Sequence, residues 1–343
     1  MRKLLNTLYV NSQGSYLRKE GETVVVELHG EKALQLPIHT IGGIVCFGNV
    51  LCSPFLMGFC AERDISISFL TENGKFLSSV RTPVSGNVLL RRQQYRFADS
   101  EDFAIQIASN IVKAKIANCR VNLKRSIRDH ADKIDVGSIQ NSIACIDRIQ
   151  RELPNATTLE EIRGFEGVAA ANYFFSFNNM IISQKKDFIF TTRNRRPPMD
   201  PVNALLSYIY TILSHDVRSA LETVGLDPSV GYLHCDRPGR YGLALDLMEE
   251  FRPVIADRLV LTLINRGQVQ RKGFSVAVNQ SVTMDPDTRK TILVEYQKKK
   301  QEKIYHPFIK EEVPIGMLFY IQATLLARFI RGDIDGYPPF FWR

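Results

Sequence analysis

Five side chains in this sequence have the type and spacing to do chemistry together. Glu166 stands in the run Arg163-Gly-Phe-Glu-Gly-Val-Ala-Ala-Ala-Asn-Tyr-Phe174, where the small residues after it let a ligand or another backbone come close. His234 lies in Gly231-Tyr-Leu-His-Cys-Asp-Arg-Pro-Gly-Arg240, just ahead of a long helical pattern; loops held by rigid elements are where binding groups concentrate. Asp246, Glu249 and Glu250 follow at i, i+3 and i+4, so a regular helix puts all three carboxylates on one face. Like charges so close destabilise a helix unless a cation, or Arg240 and Arg252, relieves them. Carboxylates with one neutral imidazole suit Mg2+ or Mn2+, ions that polarise phosphoryl oxygens and offset charge on attacking and leaving oxygens. Each residue also has a plainer reading. Glu166 in a first helical turn complements the helix dipole, a lone histidine packs in a core, and three carboxylates make a salt-bridged surface. Leu243, Leu245, Leu247 and Met248 speak against the last, because they bury much of that helix.

These residues need elements to position them. Strand patterns occupy residues 5–10, 23–29, 32–38, 41–47, 64–70 and 76–82, with Asn73-Gly74 as a hairpin turn between the last two and a short helix near 53–62 started by Ser53 and Pro54. Thr82-Pro-Val-Ser-Gly86 reads as a linker. Beyond it the apolar spacing is helical over 102–128, 136–152, 164–182, 201–224, 242–265 and 314–331. The polar face of the 102–128 helix carries Lys113, Lys115, Arg120, Lys124, Arg125 and Arg128, either solvated or facing phosphate. The expected architecture is α+β with two domains. Residues 1–82 form a small β-sandwich-like domain, 83–90 a linker and 91–343 a larger all-α catalytic domain, as 343 residues exceed one ordinary core.

Composition narrows the function classes. The chain has 44 Lys+Arg against 36 Asp+Glu, a net charge of +8, with +7 of it after residue 90. That fits a polyanionic partner without requiring one. The six cysteines form no CxxC pair, which argues against a zinc knuckle or a disulfide scaffold. No apolar run spans a bilayer, and Asn6, Ser12 and Gln13 come too early after Met1 for a signal peptide, so a cytoplasmic protein with no membrane partner is expected. Without a P-loop, GxGxxG, HExxH or GxSxG, nucleotide-driven and serine-based chemistry are disfavoured.

Taken in order, four motifs resemble the CRISPR-associated integrase family, Cas-one. They are Arg-Gly-Phe-Glu-Gly with Asn-Tyr-Phe174, Asp200-Pro-Val-Asn-Ala-Leu-Leu-Ser-Tyr-Ile-Tyr210, Gly231-Tyr-Leu-His234, and Gly239-Arg-Tyr-Gly-Leu-Ala-Leu-Asp-Leu-Met-Glu-Glu-Phe-Arg-Pro253. The last motif suggests the branch beside type I systems. The resemblance implies a site in which Glu166, His234 and an acid on the following helix hold Mg2+ or Mn2+. Glu249 matches that acid, where members often carry Asp. Asp246 supports it, Glu250 is the lesser alternative, Tyr173 and Arg240 are neighbours, and Gly242 stands where serine is frequent. It further implies endonuclease activity and insertion of short foreign DNA into a CRISPR array, a 3′-hydroxyl attacking a phosphodiester. The implied partners are double-stranded DNA, a second copy of the chain bound through the β domain, and a dimer of the small Cas-two protein.

Lys185, Lys186, Arg193, Arg195 and Arg196, with Arg271 and Lys272, would contact the DNA backbone, as would Arg289-Lys290 and Lys298-Lys299-Lys300. The aromatic tail Tyr337-Pro-Pro-Phe-Phe-Trp342 docks either on a partner or on its own helical domain. A general metal nuclease with no integration role, and a non-catalytic DNA-binding scaffold, are the competing readings.

Overall fold

A computed structural model describes residues 5–63, 65–72, 76–80 and 88–342. The expected Asn73-Gly74 turn and residues 82–86 lie outside them, but residues 88–90 of the expected 83–90 linker are helical, which corrects that boundary. The chain divides into two compact units, Met1–Gly86 with Met284–Gln301, and Asn87–Thr283 with Glu302–Arg343.

The first unit is strand-rich. Its strands are β1 (Asn6–Val10), β2 (Tyr16–Glu20), β3 (Thr23–Leu28), β4 (Glu31–Pro37), β5 (Ile41–Phe47), β6 (Leu51–Cys52), β7 (Ser66–Leu70) and β8 (Phe76–Val80). They make two four-stranded sheets, ordered β1-β5-β7-β8 and β4-β3-β2-β6. Helix α1 (Pro54–Ala61) begins as its sequence requires: Ser53 Oγ accepts from Leu56 N at 3.2 Å and Pro54 opens the first turn. Leu17 and Val24 from one sheet, Ile44 and Ile67 from the other, and Leu56 and Phe59 from α1 share one buried core. β2 and β6 had no sequence expectation. Tyr16–Glu20 carries three charged side chains among five residues, and Leu51–Cys52 is too short to show alternation.

The second unit is mainly helical: α2 (Val88–Asp99), α3 (Glu101–His130), α4 (Val136–Glu152), α5 (Leu159–Phe175), α6 (Pro201–Thr223), α7 (Gly242–Met248) and α8 (Arg258–Asn265). Two points correct the sequence reading. First, α5 starts at Leu159 rather than near 164. Thr158 caps it, with Thr158 Oγ1 accepting from Glu161 N and the Glu161 carboxylate accepting from Thr158 N. Glu166 therefore sits inside a helix and not in its first turn. Second, the expected helix over 242–265 is broken. It stops at Met248, passes through a turn, and resumes through a π-helical segment, Arg252–Asp257, before α8. Pro253 cannot donate to the preceding turn, and its ring displaces the carbonyl behind it.

The unit is also not all-α. A hairpin of β9 (Phe274–Val276) and β10 (Val282–Met284) follows α8. Helix α9 (Pro286–Gln301) then joins the strand-rich unit, where Gln297 Nε2 donates to Thr7 O at 3.1 Å and Gln301 Nε2 to Asn6 Oδ1 at 3.0 Å. A second hairpin, β11 (Lys303–His306) with β12 (Glu311–Pro314), precedes α10 (Leu318–Arg331), which ends at Gly332 with φ 83°. Among the described residues no helix is long and apolar enough to cross a membrane.

Candidate metal centre

The site is built on α3. Its buried stripe includes three polar side chains one and two turns apart, Lys115, Asn118 and Asn122. Lys115 is only 8% exposed, which corrects its assignment to a polar face. A buried ammonium must find anions, and two reach it. Glu166 on α5 accepts a hydrogen bond from Lys115 Nζ, and Glu249 Oε2 lies 2.6 Å from the same nitrogen. Glu249 is itself 2% exposed, and its Oε1 pairs with Arg252 Nη1 at 2.9 Å. Its Oε2 is buried, with the Lys115 ammonium as its partner. Burial works against the Glu249 charge, but Arg252 and Lys115 outweigh it and hold the carboxyl low. Burial likewise opposes the Lys115 charge, and Glu249 and Glu166 together keep its pKa raised.

His234 is held with similar rigour. The loop that bears it folds over the Asp246 side chain on α7. Tyr232 N and Leu233 N donate to Asp246 Oδ2 at 2.6 and 3.0 Å, and His234 N donates to Oδ1 at 3.0 Å. The His234 ring places Nδ1 2.6 Å from Asp246 Oδ1. A carboxylate there assigns the proton to Nδ1 and leaves the Nε2 lone pair for a ligand. This packing requires glycine at two positions. A Cβ on Gly231 would lie 2.7 Å from Gly242 C and 2.8 Å from Asp246 Oδ2, and one on Gly242 would lie 2.8 Å from Ser229 O.

Two further residues fix the loop, and the sequence reading missed both. Arg163 Nε, one turn before Glu166, donates to Leu233 O at 2.8 Å. Gln94 of α2 donates to Asp227 O and Val230 O and accepts from Asp227 N. Helix α5 thus supplies Glu166 and also tethers the histidine loop.

The three carboxylates expected on one face point three ways, because the helix breaks among them. Asp246 faces the loop amides and Glu249 faces Lys115 and Arg252. Glu250 is fully buried and turns to the C-terminal tail, accepting from Tyr337 Oη at 2.6 Å, Phe340 N at 2.9 Å and Gln322 Nε2 at 3.1 Å. Burial raises the Glu250 carboxyl to about 8, against the pull of those three donors. Asn118 completes the seam, donating to Glu250 O at 2.7 Å and accepting from Trp342 N at 2.8 Å. The tail docks on its own helical unit.

The remaining expected residues divide. Tyr173 is buried, and its hydroxyl accepts from Asn122 Nδ2 at 2.8 Å beneath the site. Arg240 lines a cavity of about 240 Å3 with Asp236, Arg237 and Ser229, a wall that includes neither Glu166 nor Glu249. Lys185, Lys186, Arg195, Arg196 and Lys272 are exposed. Arg193 is half-buried, bound to Asn203 Oδ1 at 2.7 Å and Ser207 Oγ at 3.1 Å, and Arg271 donates to Phe274 O at 2.8 Å.

Among the described residues, no three His, Cys, Asp or Glu side chains are grouped as ready metal ligands. Glu166 and Glu249 instead share the Lys115 ammonium. The donor chemistry nonetheless fits Mg2+ or Mn2+. Glu249 supplies a buried carboxylate, Glu166 a partly open one, and His234 is oriented through its other nitrogen. The Glu166 side chain keeps 26% of its surface exposed, so solvent reaches the site from that carboxylate.

With this geometry in hand, comparisons with known proteins agree over the full length. A sequence model of the family described as CRISPR associated protein Cas1 matches residues 8–298. The CRISPR-associated endonuclease Cas1 1 of Chlorobaculum tepidum is 52% identical over 343 residues, covering all of both chains. Among solved structures, a casposase bound to integration product aligns with a TM-score of 0.84 at 22% identity, covering 99% of this chain and 95% of that one. A Cas6-RT-Cas1–Cas2 complex aligns at 0.83 and 21%, covering 99% of this chain and 36% of that one. At those identities the two structures establish the fold.

Proposed function

This chain belongs to the CRISPR-associated Cas1 family, and from that premise we propose that it is a metal-dependent DNA endonuclease and integrase centred on Glu166, His234 and Glu249. The observation that supports this most is the meeting of Glu166 and Glu249, from separate elements, on one buried ammonium, together with a histidine, His234, whose proton is fixed by Asp246. A surface salt bridge has no need of that burial, and a packed core histidine has no need of three loop amides gathered on its partner.

In the proposed reaction, the 3′-hydroxyl of a short captured DNA attacks a phosphodiester at the repeat boundary. One P–O bond forms and one breaks, the displaced strand leaves as a 3′-hydroxyl, and no nucleotide is consumed. Water in place of the hydroxyl gives cleavage. A Mg2+ or Mn2+ ion held by Glu166, His234 Nε2 and Glu249 would polarise the phosphoryl oxygen and offset the developing charge. Asp246 keeps the His234 proton on Nδ1, and Arg252 keeps Glu249 ionised. The partial exposure of Glu166 lets a duplex approach it. Lys185, Lys186, Arg195, Arg196 and Lys272 are exposed as contacts to DNA backbone should be. The proposed partners are a second copy of the chain and a small Cas2 dimer; a similar fold occurs in the Cas6-RT-Cas1–Cas2 complex. The proposed setting is the cytoplasm.

The test is strand transfer of labelled DNA with a free 3′-hydroxyl into a repeat-containing plasmid, with Cas2 and Mn2+ present. Joined product is expected, and its loss in Glu166→Ala, His234→Ala and Glu249→Ala variants. Efficient cutting without joining would instead favour a general nuclease, and full activity in any of the three variants would defeat the site assignment.

A further inference from the structure

We infer that Lys115 is a built-in counter-cation that keeps a divalent metal out of the Glu166–Glu249 pair until DNA arrives, so that metal loads with the substrate rather than ahead of it. This rests on the metal-site reading above and deepens it. Lys115 comes from the middle of a 30-residue helix, and it is 8% exposed. Its ammonium contacts both carboxylates, while Arg252 sits 2.9 Å from the other oxygen of Glu249. Two carboxylates and two cations make this cluster neutral before any metal enters. A dication placed between Glu166 and Glu249 would share the spot with the ammonium, and repulsion at such separations is severe in a site shielded from water.

Lys115 must therefore leave its carboxylates when the metal binds. Once displaced, a shielded ammonium needs another anion. Glu166, whose side chain is 26% exposed, is the edge of the cluster that a phosphodiester can reach to supply one. With DNA present the exchange balances, as the metal takes the carboxylates and Lys115 takes a phosphate oxygen. Without DNA it leaves an excess of positive charge. Lys115 is thus a positioning residue before metal binds and a phosphate contact afterwards.

The experiment is calorimetric titration of Mn2+ into the intact protein, wild type and Lys115→Met, with and without a branched DNA carrying a non-hydrolysable linkage. Without DNA, Lys115→Met should bind Mn2+ at least about tenfold more tightly than wild type, because one repelling charge within contact distance is gone. With DNA the gap should close or reverse. Equal or weaker Mn2+ binding by Lys115→Met without DNA overturns the inference. Glu249→Gln in the Lys115→Met background separates the two claims. If it abolishes the Mn2+ heat, the metal site stands whatever Lys115 does. If the heat is unchanged, the metal-site reading itself fails. Circular dichroism checks the fold, and Lys115→Gln carries the same comparison should Lys115→Met not fold.

Discussion

Asp246→Asn is the most informative single change, because it alters one atom and forces a definite rearrangement. Asp246 is fully buried and accepts four hydrogen bonds. Two reach Oδ2 from Tyr232 N and Leu233 N, and two reach Oδ1 from His234 N and His234 Nδ1. An asparagine has only one carbonyl to share. If it faces Tyr232 and Leu233, the new NH2 group confronts His234. The backbone N–H of His234 is then left without an acceptor, at roughly 1–3 kcal/mol. Nδ1 must turn acceptor, which moves the ring proton to Nε2 and removes the ligand lone pair. The opposite flip strands two amides instead of one and is worse. The variant should therefore fold, with a modestly lower melting temperature. It should lose about 10–100-fold in Mn2+ affinity and in cleavage of branched DNA, as removal of a partner orienting a ligating histidine does. Calorimetry and a gel-based cleavage assay measure the two effects, and nitrogen-detected NMR of the imidazole reports the tautomer. Wild-type Mn2+ affinity in a folded Asp246→Asn protein, with the proton still on Nδ1, would refute this reasoning.

Glu250→Gln should flatten the pH dependence of stability. The folded Glu250 carboxyl lies near 8 against an ordinary 4.5, so its neutral form stabilises the fold fully below about 4.5, and that contribution is lost as pH rises toward 8. Wild type should thus lose melting temperature across that window more steeply than the variant, and parallel curves would show that Glu250 does not carry the slope. Gly231→Ala should lower the melting temperature and the cleavage rate together, because its Cβ would lie 2.7 Å from Gly242 C in a loop with no slack; normal values for both would mean the loop yields. Arg163→Met should leave the fold nearly unchanged but weaken Mn2+ binding several-fold, since the loop loses its tether at Leu233 O. An unaltered Mn2+ isotherm would assign the tether no part in the site.

The ends and caps of several elements were legible in the sequence for local reasons. Ser53-Pro54 and Asp200-Pro201 start helices because capping and proline geometry act within one turn. The capping box at Thr158 and Glu161 is equally local, and it starts α5 ahead of the expected 164, which places Glu166 inside the helix rather than in its first turn. Lys115 was less accessible. Residue type puts a lysine on a polar face, and only the approach of α5 and of the segment after α7 shows that this one is enclosed by carboxylates. Asn118 and Asn122, one and two turns on, carried the available signal, a row of polar residues at core spacing. The common face for Asp246, Glu249 and Glu250 assumed a regular helix through Pro253, a residue that prevents one. The tail was ambiguous because apolar aromatics suit a partner or a core equally; the hydrogen bonds from Tyr337 and Phe340 to a buried Glu250 decide it, and they depend on tertiary structure.

Glu166, His234 and Glu249 are proposed to hold together the metal that serves phosphodiester chemistry. The most direct measurement is anomalous diffraction at the manganese edge, from crystals grown with Mn2+ and a branched DNA carrying a non-hydrolysable linkage. A peak is expected within ligand distance of Glu166, Glu249 Oε2 and His234 Nε2, with Lys115 withdrawn from the carboxylates. A manganese peak elsewhere at the DNA junction, with Lys115 still bridging Glu166 and Glu249, would contradict it.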